Sequence, residues 1–131
     1  MTGGTGFVGS HLVEALARQD VQVRVLARKT SDTARLPREV IVIEGDLLDR
    51  AALTQAIHGA DVVFHLAAAT RARSADGYFR ANAEGTRILV ETIQAARPQP
   101  RRLVYLSSLA AAGPAENGKP VELHDAPHPI T

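Results

Sequence analysis

The chain has 131 residues, 45% of them apolar but only 4% aromatic, and a formal net charge of +1. That length buries the core of one domain and is short for a two-domain enzyme, and the charge balance sets up no strong field for nucleic acid or an anionic membrane. With no cysteine, disulfides, zinc thiolates and thiol nucleophiles are excluded; with no leader-like start and no apolar run approaching a membrane span, a soluble, cytoplasmic protein is expected.

The chain opens on Thr2-Gly3-Gly4-Thr5-Gly6-Phe7-Val8-Gly9, with Gly3, Gly6 and Gly9 recurring every third residue. An amphipathic helix is expected directly after, over Gly9 to Arg18, with Leu12, Val13 and Leu16 on one face. An early glycine permits a tight turn, a middle one lets backbone approach a pyrophosphate, and the last lets the helix pack closely. Free amides at the helix start then face phosphate oxygens. Taken alone, such a turn is also what an ordinary glycine-rich connection looks like.

Val21, Val23 and Val25 alternate with polar residues, predicting a strand with one more exposed face, whereas Val40 to Ile43 is a β-branched run predicting a strand covered on both sides. Asp49 is a candidate cap for a helix running to about Ile57, with Gly59 as its stop. A strand is predicted over Asp61 to Leu66. A long helix follows over Gly77 to Ala96, with Ile88, Leu89, Thr92 and Ile93 inward and Pro98 and Pro100 beyond it. The last strand covers Arg102 to Ser107, and Pro114 to Thr131 reads as loop. Four strands alternating with three helices predict a doubly wound parallel sheet of Rossmann type, layered α/β/α.

The turn at Thr2 to Gly9 resembles the TGxxGxxG motif of the extended short-chain dehydrogenase/reductase family, which includes NAD-dependent epimerases, dehydratases and hydroxysteroid-dehydrogenase-like reductases. The resemblance runs along the whole chain. Gly45-Asp46-Leu47 resembles the family's acidic adenine-contacting segment. Val63 to Ala68 resembles the strand end lining the cofactor. Asn82-Ala83-Glu84-Gly85-Thr86 resembles its Asn-x-x-Gly-Thr helix motif, and Leu106-Ser107-Ser108 resembles the strand carrying the active-site hydroxyl. The cofactor-binding set implied is Gly3, Thr5, Gly6, Phe7, Val8, Gly9, Arg28, Asp46, Leu47, Leu66, Ala67, Ala68, Asn82 and Ser107. Asp46 also reads as a turn or capping carboxylate, and Asn82 as a residue that stabilises loop or helix geometry.

An NAD-specific site places a carboxylate at the end of the second strand, on the ribose hydroxyls. Ala27 stands there, followed by Arg28 and Lys29. A guanidinium at that point pairs with a 2′-phosphate, so NADP is favoured over NAD; a solvated basic pair is the alternative.

The family resemblance implies a hydride transfer at a carbinol or carbonyl carbon, with Ser108 as the catalytic hydroxyl that orients the substrate oxygen. A Tyr-x-x-x-Lys pair would then exchange the proton, the lysine lowering the tyrosine's pKa. On position alone, Ser108 also reads as a strand-end serine satisfying a backbone group. No such pair is present. Tyr78 is followed at the right spacing by Asn82 and Tyr105 by Leu109; Tyr78 is expected to pack on the long helix and Tyr105 to lie in a buried strand.

The tail Pro127-His128-Pro129-Ile130-Thr131 resembles the segment just before that tyrosine, and only Met1 and Thr2 precede the glycine turn where relatives have a whole first strand. Residues 1–131 are therefore expected to be a partial nucleotide-binding domain that lacks its first strand, its C-terminal part and a substrate domain. The substrate class implied is a small molecule: a nucleotide sugar, a steroid or another secondary alcohol or ketone, with a homodimer for the full-length protein. A non-catalytic NADP-binding or redox-sensing module is the alternative. His11, His58, His65, His124 and His128 show no paired ligand spacing, so they are read as packed or solvated and no metal is assigned.

Overall fold

The computed structural model describes residues 1–72, 74–115 and 118–129. The elements, in order, are α1 (Phe7–Ala17), β1 (Arg24–Ala27), β2 (Ile41–Glu44), α2 (Arg50–Ile57), β3 (Val62–His65), α3 (Ala75–Tyr78), α4 (Gly85–Ala95), β4 (Arg102–Tyr105) and α5 (Leu109–Ala112). A π-helical stretch, Phe79–Glu84, joins α3 to α4.

β1 pairs in parallel with β2, Arg24 opposite Ile41, and β3 with β4, Val62 opposite Arg102. What joins the two pairs is the start of the chain. The Thr2 amide donates to the Phe64 carbonyl at 2.9 Å and Leu66 donates back to Thr2 at 3.1 Å, while Leu26 donates to the Met1 carbonyl at 2.9 Å. Thr2 thus bridges β1 and β3, parallel to both, and the order across the sheet is β2, β1, Met1–Thr2, β3, β4. Met1 and Thr2 sit where a first strand of this fold belongs. Beside them, toward the N-terminal ends of β1 and β3, lies a cavity of about 500 Å³ whose lining includes Val21, Val23, Val62, Val63 and Leu89.

Two cores flank the sheet. One holds Leu26, Ile43 and Val63 against Leu53 and Ile57 of α2 and Ile88, Leu89 and Ile93 of α4. The other holds Val13 of α1 against Val23, Val25, Ala27 and Val40. Leu26 faces one core, and Val25 and Ala27 the other, which is the period-two alternation of a strand covered on both sides. The layering is α/β/α, as the sequence predicts.

Several boundaries differ from expectation, each for a spatial reason. The two strand expectations are exchanged. β1 is buried from Val25 to Ala27 because it lies inside the sheet, and Val21 stays outside the strand, 54% exposed. Among the described residues β2 is flanked by β1 alone, and Ile41 and Val42 of the β-branched run are exposed. Asp49 caps α2 as expected, its carboxylate accepting from Ala51 and Ala52, and Gly59 stops it at φ 65°. The expected long helix is instead α3, the π stretch and α4, with the Gly85 amide donating to Arg80; Ile88, Leu89, Thr92 and Ile93 do face inward. Tyr105 is 54% exposed rather than buried. Tyr78 reaches the Thr70 carbonyl with its hydroxyl at 3.3 Å.

Candidate nucleotide-binding site

Apart from Asn82–Thr86, which lies in the π stretch and the first turn of α4, the segments singled out in the sequence lie at the carboxyl end of a strand position. The glycine turn follows Thr2, Arg28 follows β1, Gly45–Leu47 follow β2, Leu66–Ala69 follow β3, and Leu106–Ser108 follow β4. Thr2 is also where the strand order reverses: the chain moves outward to β1 and β2, then crosses back to β3 and β4. Open parallel sheets bind ligands in the crevice at that reversal.

Close packing fixes the turn. Gly3 has φ 73°, and a Cβ there would sit 2.6 Å from the Ala67 nitrogen and from the Leu66 carbonyl carbon. A Cβ on Gly9 would sit 2.0 Å from the Gly3 carbonyl oxygen. A Cβ on Gly4 would meet the Val25 methyls at 2.8 and 2.9 Å. Gly6 differs: its Cβ would meet only the Gly3 oxygen, at 3.3 Å. Gly6 is thus the least enclosed of the four, although a Cβ there would still press on that oxygen. Among the described residues no side chain caps α1, which leaves the first-turn amides, those of Phe7 and Val8 among them, without a side-chain acceptor. Phe7 and Val8 are 83% and 53% exposed, and Thr5 is half-buried.

The remaining candidates fall around this turn with different degrees of freedom. Arg28 is exposed just past β1. The Asp46 carboxylate accepts from the Leu48 amide at 2.7 Å, so one oxygen serves the turn while the side chain stays exposed. Leu47 is half-buried and packs against the α2–α4 core. Leu66 and Ala67 lie against Gly3, with Ala68 exposed beyond. The Asn82 amide is engaged at both ends: its Oδ1 accepts from the Ala69 amide at 2.7 Å and its Nδ2 donates to the Ala69 carbonyl at 3.0 Å. It shapes the loop after β3, in keeping with its alternative reading. Ser107 and Ser108 are exposed, and Ser108 caps α5 by accepting from Ala110 at 3.2 Å. A Cβ on Gly113 would sit 2.1 Å from the His128 carbonyl oxygen, so the tail returns to α5. Of the tail read as preceding a tyrosine, Ile130 and Thr131 lie outside the described residues.

Sequence reading missed a polar chain under the turn. The Thr2 hydroxyl lies 2.7 Å from His65 Nδ1, and His65 Nε2 lies 2.8 Å from the Thr86 hydroxyl. His65 is fully buried, and burial pushes its pKa below the ordinary value. Its ring stacks on Tyr105 with centroids 5.3 Å apart. Nothing local signals a pairing of residues this distant in sequence.

The epimerase family model, described as the NAD dependent epimerase/dehydratase family, matches residues 1–131. The chain belongs to that family. Ceramide reductase of Caulobacter vibrioides is 40% identical over 116 residues, covering 88% of this chain and 36% of its own length. The 3-beta-hydroxysteroid dehydrogenase of Mycolicibacterium neoaurum is 37% identical over 82% of this chain and 31% of its own. UDP-glucose 4-epimerase of Thermus thermophilus, solved in complex with NAD, superposes with a TM-score of 0.86 at 29% identity, over 98% of this chain and 43% of the epimerase. The chain thus spans well under half the length of each of these proteins.

Proposed function

We propose that residues 1–131 form the nicotinamide-dinucleotide-binding portion of an oxidoreductase or epimerase/dehydratase that transfers hydride at a carbinol or carbonyl carbon. The observation that carries the reading is Gly6, the least enclosed glycine of the turn, set between two glycines that tolerate no side chain, at the start of a helix with no side-chain cap among the described residues. That cradle fits a pyrophosphate: a Cβ at Gly6 would stand where the phosphate must approach. A bound nicotinamide supplies or accepts the hydride. The chain's own part is to hold it, with Gly3, Thr5, Gly6, Phe7, Val8 and Gly9 around the phosphates, Asp46 and Leu47 at the adenine end, and Leu66, Ala67, Ala68 and Ser107 along its length. Asn82 acts indirectly, by fixing Ala69.

NADP is the favoured dinucleotide. Arg28 is exposed at the end of β1, and Ala27 brings no carboxylate to repel a 2′-phosphate. Ser108 is the proposed catalytic hydroxyl, orienting the reacting oxygen. Proton exchange by a tyrosine with a lysine partner falls to residues outside the 131, since Tyr78 and Tyr105 lack a lysine at that spacing. The substrate is a small secondary alcohol or ketone, with ceramide, steroid and nucleotide-sugar chemistry each represented among the similar proteins by name. A cytoplasmic setting and a homodimer of the full-length protein belong to the same reading.

Calorimetric titration of the protein at its natural length with NADPH and NADH tests it. Binding of NADPH in preference to NADH supports the reading, and preference for NADH removes the Arg28 assignment. Binding of neither overturns it. Binding without turnover of any carbonyl substrate leaves a sensing module instead.

A further inference from the structure

The hydrogen bonds around His65 can be assigned a direction from their partners alone. The Thr86 hydroxyl lies 2.7 Å from the Asn82 carbonyl oxygen, which only accepts, so the single hydroxyl proton of Thr86 points there. Toward His65 Nε2, 2.8 Å away, Thr86 must then accept, and Nε2 carries a proton. Because the ring is buried with its pKa lowered, it is neutral at pH 7, and Nδ1 is bare. The Thr2 hydroxyl, 2.7 Å from Nδ1, is therefore the donor, and accepts in turn from the Ala67 amide at 3.3 Å. The chain reads Ala67 N–H to Thr2, Thr2 to His65, His65 to Thr86, Thr86 to the Asn82 carbonyl, with each hydroxyl proton used once.

We propose that His65 is a positioning residue: held neutral with its proton on Nε2, it locks the Asn82–Thr86 turn to the glycine turn through a hydrogen-bond chain that runs in one direction. Both ends of the chain lie on the nucleotide site. Thr2 immediately precedes Gly3, and Asn82 holds Ala69 with its side chain while its carbonyl ends the chain. Protonating Nδ1 would confront Thr2 with two donors and leave its hydroxyl proton without an acceptor among the described residues. The groups facing the ring are Thr2 from the first strand position, Thr86 from α4 and Tyr105 from β4. Burial of the ring is what lowers its pKa. The coupling to cofactor rests on the proposed function, but the tautomer does not.

The test is two-bond proton–nitrogen correlation of histidine-labelled protein at its natural length, without cofactor, from about pH 8 to about pH 5. His65 is expected as the Nε2–H tautomer at neutral pH, with its midpoint below the ordinary histidine value of about 6.5. An Nδ1–H tautomer, or an imidazolium at neutral pH, overturns the proposal. Thr86→Val is expected to disturb the Gly3 and Gly6 amide signals and to weaken NADPH binding about five- to tenfold, the equivalent of one net hydrogen bond. Thr86→Ser, which keeps the hydroxyl, should restore both. Undisturbed Gly3 and Gly6 signals in Thr86→Val overturn the coupling. Should the wild type bind no dinucleotide, the proposed function fails, and the tautomer and the amide signals still decide the inference. Should Thr86→Val not fold, the tautomer decides alone.

Discussion

A methyl group on Gly9 would stand 2.0 Å from the carbonyl oxygen of Gly3. The obstacle is backbone, so relief requires α1 to move off the turn rather than a side chain to rotate. Gly9→Ala is expected to cost about 1–3 kcal/mol and to abolish dinucleotide binding, read by denaturant unfolding and calorimetry. Gly6→Ala separates the two effects. Its Cβ meets one atom at 3.3 Å, so stability should fall by about 1 kcal/mol or less while binding is lost. Retained binding in Gly6→Ala would remove the pyrophosphate from this turn.

Asn82 engages Ala69 with both ends of its amide. Asn82→Asp keeps the acceptor but sets a second oxygen against the Ala69 carbonyl, and should destabilise by about 1–3 kcal/mol. Amide exchange at Ala69 should accelerate. Unchanged exchange there would show that another contact holds the loop.

Arg28 tests the cofactor choice. Arg28→Asp removes a cation and restores the carboxylate that ribose hydroxyls favour, so the ratio of NADPH to NADH affinity should fall by about tenfold or more. A ratio that does not move would make Arg28 a solvated surface residue.

Ser108→Ala removes the α5 cap, a change of about 1 kcal/mol. If Ser108 orients the reacting oxygen, kcat in the natural-length enzyme should drop by about 100-fold with KM and dinucleotide affinity little changed. A stability loss with kcat intact would confine Ser108 to capping.

The pH dependence of folding follows from His65. Its folded pKa lies below the unfolded value because burial disfavours the charged ring. The unfolded chain therefore binds the proton first, and stability rises with pH in this range. His65's contribution is complete above the unfolded pKa, about 6.5, and is lost as pH falls through the lower folded value. Unfolding midpoints measured across this interval should decline toward acid, and the decline should be shallower in His65→Gln.

The order of elements is legible in the sequence, because glycine spacing, β-branched runs and the Asp49 cap are local signals. Burial is misplaced where it depends on neighbours. The alternation at Val21 to Val25 suggests a half-covered strand, yet β1 lies inside the sheet; the apolar run at Val40 to Ile43 suggests full cover, yet β2 has a partner on one side only. The break in the long helix is not legible because its cause is tertiary. Gly85 packs against Leu47, where a Cβ would sit 2.8 Å from the Leu47 Cβ, and Asn82 is drawn to Ala69. The turn's glycines and their broad roles are readable as a set, but only contacts show that Gly4 also packs, on Val25, and that Gly6 is the least enclosed of the four. His65 reads as packed or solvated, and nothing near it in the chain reveals the two hydroxyls that satisfy its buried ring.

Met1 and Thr2 have one more consequence. They are the seam between β1 and β3, and the seam continues directly into the turn proposed to receive phosphate. Whatever grips Gly3 to Gly9 therefore also restrains the stitch between the two halves of the sheet. A bound dinucleotide should act as a rivet: slow opening motions that part β1 from β3 would be suppressed together, and the amides of Leu26 and Leu66 would report it by exchanging as one unit.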